Sequence, residues 1–289
     1  VNAGDAATGD RACAKDAPPV CPRSAAPGQA TAAATPGSAA HTSPPTNAHP
    51  AAPNPRSSDS PIPIPDSRLH LYYGGTFDPI HLGHLAIACA ARDELGARVH
   101  LVPAADPPHR PAPGATAAQR ARMLELALAD TPGLVLDTRE LRRAGQGGAP
   151  SYTVDTLREL RAELGPTTPI AWLLGADAFV GLSSWHHWQA LFELAHFVVA
   201  ERPGAPLDLG QAPQLAQAVQ GRWTASASEL GTAPAGRLWR LHQPLRGESA
   251  SAVRARIAGG GSDWQALVPA SVAAFIVHEG LYGDALPTR

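Results

Sequence analysis

Leu69-His70-Leu71-Tyr72-Tyr73-Gly74-Gly75-Thr76-Phe77-Asp78-Pro79-Ile80-His81-Leu82-Gly83-His84 is the stretch that decides the fold of this chain. Leu69 to Tyr73 reads as a short, half-apolar β-strand that ends at Gly74-Gly75. From Leu82 to Leu95 apolar residues recur at helical spacing, and Gly96 is the stop. The paired glycines allow a tight turn and close approach to a ligand, because no Cβ is in the way. A strand, a glycine turn and a helix in that order put free N–H groups and the positive end of a helix dipole at one point. That point favours an anion. His81 and His84 are three residues apart, so they share one face of the helix's first turn. They add donors there and, when protonated, positive charge. Two histidines at this spacing also suit half of a zinc site, but no Cys or Glu cluster at suitable spacing supplies the remaining ligands.

Outward from this stretch, strands and helices alternate. Val99 to Val102 is a second strand closed by Pro103, and Thr116 to Asp130 is a helix opened by the capping-box pair Thr116 and Gln119. Leu134 to Leu136 is a third strand, Tyr152 to Leu164 a helix stopped by Gly165, and Ile170 to Leu174 a fourth strand. Short helices fill 177–194, His196 to Ala200 is a fifth strand, and Leu238 to Leu241 is a last one. Helices cover 249–258 and 269–279, while 203–236 has no clear pattern. Alternation of this kind predicts parallel strands joined by helical crossovers. The expectation is one α/β domain over residues 67–289, a Rossmann-like doubly wound parallel sheet, with its ligand beyond the strands' carboxyl ends.

Residues 1–66 differ in kind. They hold 17 Ala and 13 Pro and no Phe, Tyr or Trp. Such a segment buries too little apolar surface to offset the entropy of ordering it, so a disordered low-complexity tail is expected. Asp5, Asp10 and Asp16 interrupt any apolar stretch that a secretory signal would need. The formal net charge is −2, which points to neither nucleic acid nor a membrane surface, and no apolar run is long enough to span a bilayer. Cys13, Cys21 and Cys89 form no disulfide framework, which favours a reducing compartment, the cytoplasm.

The stretch Gly74 to Leu85 resembles the signature of the HxGH nucleotidylyltransferases, and within them the chain is similar to the bacterial nicotinate-nucleotide adenylyltransferase family. The similarity runs from about Leu71 to Tyr282. It includes Pro107-Pro108-His109-Arg110, Met123-Leu124-Glu125-Leu126-Ala127, Pro150-Ser151-Tyr152-Thr153, Gly175-x-Asp177, Trp185, Arg202-Pro203-Gly204 and Ser249-x-Ser251-x-x-Arg254. The resemblance implies transfer of the adenylyl group of ATP to nicotinate mononucleotide, with release of pyrophosphate. That chemistry needs no general base, because the attacking phosphate is already anionic. It needs alignment of two anions and stabilisation of charge on the leaving group.

By the same resemblance, His81, His84 and Arg254 act on the ATP phosphates. Gly74, Gly75, Thr76 and Phe77 approach them, and Ser249 and Ser251 meet the β,γ end. Gly175 and Asp177 lie by the nucleotide's base or ribose, and His109 and Arg110 near its phosphates. Thr153 and Trp185 line the nicotinate ring, and backbone donors near Thr153 and His186 take its carboxylate. Mg2+ is implied, held mainly by ATP rather than by a protein carboxylate cluster. Glu248 stands where relatives carry Ile, and it would repel phosphate if it turned inward. The plainer roles stay open beside these: Ser249 as a helix cap, Arg254 as a solvated charge, Trp185 as core packing and Asp78 as a structural holder of the turn. The alternative functions are another HxGH transferase such as pantetheine-phosphate adenylyltransferase, a synthetase-like catalytic domain, or a non-catalytic nucleotide sensor. Homo-oligomerisation is left open.

Overall fold

The computed structural model describes residues 68–105, 114–146, 152–204, 206–243 and 246–283. The expected tail, and His109, Arg110 and Ser151, lie outside the described residues. Six strands form one all-parallel sheet: β1 (His70–Gly75), β2 (Val99–Pro103), β3 (Leu134–Leu136), β4 (Ile170–Gly175), β5 (His196–Ala200) and β6 (Leu238–Arg240). Their spatial order is β3-β2-β1-β4-β5-β6, so successive strands are added on one side of β1 up to β3 and on its other side from β4 onward. That change of side is the switch point at which an open parallel sheet leaves a crevice at its carboxyl edge. Gly75 pairs with Pro103 across β1 and β2, and Gly175 with Ala200 across β4 and β5, so these residues mark that edge.

The helices are α1 (Leu82–Leu95), α2 (Ala117–Leu128), α3 (Arg139–Gly145), α4 (Thr153–Leu164), α5 (Ala176–Val180), α6 (Trp188–Leu194), α7 (Pro213–Ala218), α8 (Ala250–Ala258) and α9 (Ala270–Glu279). Strand side chains alternate between two cores, as a two-residue period requires. Leu71 and Tyr73, Val99 and Leu101, Leu173 and Val198 face the core that also takes Ala88 of α1, Met123 and Leu124 of α2, Val253 of α8 and Ile276 of α9. Tyr72, Val102, Trp172, Leu174 and Phe197 face the core filled by Leu157 of α4, Phe179 of α5, Leu191 of α6 and Leu215 of α7. Burial on both faces explains why the strands read as near-continuous apolar runs.

The predicted local signals act as expected at two helix ends. Gly96 ends α1 in the left-handed conformation, φ 58°, and its N–H reaches Arg92 O. Thr116 and Gln119 form both arms of the capping box on α2. The structure adds α3, which sequence periodicity does not show, and resolves 203–236 into α7 and a 3₁₀ turn over Ala227–Thr232. One reading is corrected. Gly74 and Gly75 belong to β1 and are not the turn.

Candidate functional site

The two glycines are required by their neighbours. A Cβ on Gly74 would lie 2.2 Å from Cζ2 of Trp172, and one on Gly75 would lie 2.9 Å from Cζ of Phe77. The reversal itself falls one step later, where Phe77 adopts φ 50° and Asp78-Pro79 is a cis peptide. Phe77 is buried, its ring meeting Tyr73 edge-on at 5.5 Å and His84 at 5.0 Å. Gly74→Ala is therefore expected to destabilise the fold by about 3 kcal/mol or more, the upper range for overpacking. Its urea midpoint should fall with an unchanged slope, and a midpoint equal to that of the parent would show that Trp172 moves aside freely.

His81 is the N-cap of α1, and its Nδ1 accepts the His84 N–H at 3.3 Å. In return His84 Nδ1 accepts the His81 N–H at 3.4 Å, so the two imidazoles form a reciprocal capping box. The rings stack at 3.7 Å. A ring nitrogen that accepts a hydrogen bond does not hold the proton, so in the neutral tautomer each ring carries its proton on Nε2. The pair thus offers two Nε2–H donors fixed by the helix start.

Burial pushes the His81 imidazole down from the ordinary 6.5 to about 4, with Glu248 opposing the shift and Arg202 adding to it. The sign for stability follows. Between these values the unfolded chain binds a proton that the folded one does not, so stability falls as pH drops from about 6.5 to about 4. The full loss from this group is about 3 kcal/mol. His100 and His196 are shifted down by burial as well, so they add in the same direction. Comparing urea midpoints of the parent and His81→Gln at pH 7 and pH 5 isolates the His81 share. The parent is expected to lose more stability on acidification than the variant, and equal losses would refute the shift.

Asp78 ties the turn to three other segments. Its carboxylate accepts the Gly114 N–H at 2.8 Å, the Ala115 N–H at 3.1 Å and the Tyr282 hydroxyl at 2.8 Å. Its backbone carbonyl accepts Arg254 Nη1 at 2.6 Å, and that nitrogen lies 3.7 Å from the carboxylate. Arg254 of α8 is thus fixed against the Asp78 turn with its side chain still 38% exposed. Ser249 caps α8 by accepting the Ala252 N–H at 3.2 Å, and its hydroxyl lies 3.2 Å from that of Ser251. The starts of α8 and α1 abut, since a Cβ on Gly83 would be 3.4 Å from Glu248 O. The Glu248 carboxylate is held by Arg246, which also keeps it well inside the ionised range.

On the β4 side, Gly175 precedes α5, and a Cβ there would meet Asp177 Oδ1 at 2.7 Å, so glycine lets that carboxylate fold back over the strand end. Asp177 pairs with Arg202 at 3.1 Å. Thr153 opens α4, and the preceding Tyr152 ring lies 4.5 Å from that of His186. This contact brings the α4 start together with the Trp185-His186 turn, where Trp185 is half-buried against the second core. The structure thus gathers His81, His84 and Arg254 at the Phe77–Asp78 turn, sets Ser249 and Ser251 at the start of α8 where it abuts α1, and brings Thr153, Trp185 and His186 to the start of α4. Among the described residues no group of three His, Cys, Asp or Glu is placed to hold a metal ion, and none of their helices is long and apolar enough to cross a membrane.

Sequence reasoning passed over Tyr282, Arg246 and Arg120. Arg120 had a signal. It shares the spacing of Met123, Leu124 and Ala127 on the buried face of α2.

The model for cytidylyltransferase-like proteins matches residues 72–256, which together with the doubly wound parallel sheet places the chain among the nucleotidyltransferases. A Stenotrophomonas maltophilia protein named "Probable nicotinate-nucleotide adenylyltransferase" is 62% identical over 220 residues, 76% of this chain and 99% of that one. An Escherichia coli protein of the same name is 40% identical over 215 residues, 74% of this chain and 98% of its own. The chain belongs to the nicotinate-nucleotide adenylyltransferase family. Its fold is also that of the Plasmodium falciparum nicotinic acid mononucleotide adenylyltransferase solved in complex with NaAD, with a TM-score of 0.57 at 16% identity, over 74% of this chain and 97% of that one.

Proposed function

We propose that the chain joins the phosphate of nicotinate mononucleotide to the adenylyl group of ATP, giving deamido-NAD and pyrophosphate. A phosphate oxygen of the mononucleotide attacks the α-phosphorus in line. The bond to the bridging oxygen breaks, and the electron pair leaves with pyrophosphate. Nothing has to remove a proton from the nucleophile, so the protein's task is positioning and charge stabilisation. The His81 and His84 Nε2–H groups donate to the phosphates, and Arg254 with the Ser249 and Ser251 hydroxyls takes the leaving end. Gly74, Gly75, Thr76 and Phe77 supply close-approach backbone. Gly175 and Asp177 hold the nucleotide's ribose or base.

Thr153 and Trp185 receive the nicotinate ring, and backbone donors near Thr153 and His186 its carboxylate. His109 and Arg110 act near the phosphates. Mg2+, held by the ATP phosphates, would neutralise part of their charge, while the His81, His84, Arg254, Ser249 and Ser251 groups supply the donors.

The observation that carries this reading is the reciprocal histidine box, which commits both Nδ1 atoms to backbone and so puts the proton of each neutral ring on Nε2. The test is pyrophosphate release with ATP, Mg2+ and either nicotinate mononucleotide, nicotinamide mononucleotide or phosphopantetheine. Release with the nicotinate form, at a kcat/KM well above that of the amide, is expected. Equal efficiency with the amide would remove the carboxylate assignment. Preference for phosphopantetheine, or ATP binding without release, would replace the function itself.

A further inference from the structure

Arg120 is 0% exposed, the largest fully buried side chain in the protein's described residues. It sits on a helix face that otherwise buries Met123, Leu124, Ala127 and Leu128. Taking a guanidinium out of water is costly, and an apolar side chain of similar size would fill the space with less penalty. What arginine supplies here is direction. Nη1 donates to Thr76 O at 2.8 Å and to Ala104 O at 2.6 Å, and Nη2 donates to Ala105 O at 2.6 Å. Thr76 and Ala104 each stand one residue beyond the last β1–β2 partners, Gly75 and Pro103. A further ladder bond, Ala104 N–H to Gly75 O at 2.8 Å, lies at the same place. The guanidinium therefore holds the two strand exits together where the sheet's own hydrogen bonds stop.

The consequence for the turn comes from peptide geometry. In a trans peptide the carbonyl and the following N–H point in opposite directions. The cis bond of this turn is Asp78-Pro79, so the peptide joining Thr76 to Phe77 is trans. With Thr76 O drawn onto Arg120, the Phe77 N–H points away from α2. Phe77 sits at φ 50°, a conformation that non-glycine residues adopt only when their surroundings impose it. Asp78 works on the same joint from the other side, gripping the Gly114 and Ala115 N–H groups just before α2.

We infer that Arg120 is a positioning residue for ATP, whose hydrogen bond to Thr76 O aims the Phe77 N–H at the triphosphate. This rests on the proposed reading of Gly74–Phe77 as the segment whose backbone approaches the ATP phosphates. It assigns Arg120 no contact with substrate.

The test has two arms. In the first, amide NMR of the unaltered protein follows the Phe77 N–H while ATP is added without acceptor. A downfield shift of that proton on saturation is expected, and an unmoved Phe77 proton in protein that has bound ATP overturns the inference. In the second, Arg120→Met, which keeps apolar bulk, and Arg120→Lys, which keeps the charge without the fork, are compared by calorimetry with ATP and with nicotinate mononucleotide. Arg120→Met is expected to weaken ATP binding at least about tenfold while leaving the mononucleotide within about twofold, and Arg120→Lys to fall between Met and the parent. Equal weakening of both ligands, or ATP binding within twofold of the parent in both variants, would mark Arg120 as structural and overturn the inference. Should Arg120→Met fail to fold, Arg120→Lys and the NMR arm decide. Because both arms read binding, a chain that binds ATP as described but does not turn over nicotinate mononucleotide would refute the proposed function and leave the role of Arg120 standing.

Discussion

His84→Ala is expected to lower pyrophosphate release by about 10²–10³-fold, the usual loss when one donor to developing charge is removed. Two things disappear in this variant: the Nε2–H donor and the Nδ1 cap on the His81 N–H. The second is a matter of stability. Loss of a helix-start cap costs about 1 kcal/mol, which leaves most domains folded. His84→Gln separates the two, because Gln at the third helical position also reaches back to the N-cap N–H. Both variants should be slow, and only the alanine variant should show a lower urea midpoint. If the glutamine variant turns over like the parent, the imidazole donor is not what the reaction uses.

Arg254→Ala is expected to cut kcat by about 10²-fold or more, with a smaller change in KM for ATP, because the leaving pyrophosphate gains its charge only as the bond breaks. Stability should change by less than about 1 kcal/mol, since the side chain is more than one-third exposed and water screens its attraction to Asp78. Arg254→Lys should recover part of the rate. An ammonium keeps the charge but loses the planar fork that fits a phosphate and the Asp78 carbonyl together. A rise in KM for ATP with kcat unchanged would assign Arg254 to ground-state binding instead.

Most of the architecture was legible because it follows local rules. The six strands and the ends of α1 come from apolar runs, periodicity and a glycine stop. The nearness of His81 and His84 was expected from their three-residue spacing at a helix start, but His81 is the extended N-cap, and the reciprocal capping box is what holds the rings together. The role of Gly74 was not legible, because the atom that forbids a side chain there belongs to Trp172 on β4, paired with β1 only in the finished sheet. Helix α3 was hidden for a different reason. Its inward residues are charged: Arg139 pairs with Asp137 at 2.8 Å and with Glu163 at 3.2 Å, and Glu140 accepts the Thr156 hydroxyl at 2.7 Å. A search for apolar periodicity passes over a helix docked by polar groups. The hold of Asp78 on Gly114, Ala115, Tyr282 and Arg254 joins residues spread over most of the domain, and only the assembled structure brings them to one carboxyl group and its carbonyl. The expectation that Asp78 holds the turn was therefore sound, while its partners were beyond sequence reach. The Glu248 departure has its answer in Arg246, which ties up the carboxylate beside His81.

A crystal structure of the protein with a non-hydrolysable ATP analogue and Mg2+ tests the central claim most directly. The account predicts the triphosphate at the switch point between β1 and β4, with both histidine Nε2 atoms within about 3 Å of phosphate oxygens and Arg254 at the β,γ end. A triphosphate bound elsewhere, with the His81–His84 pair touching none of it, would contradict the account.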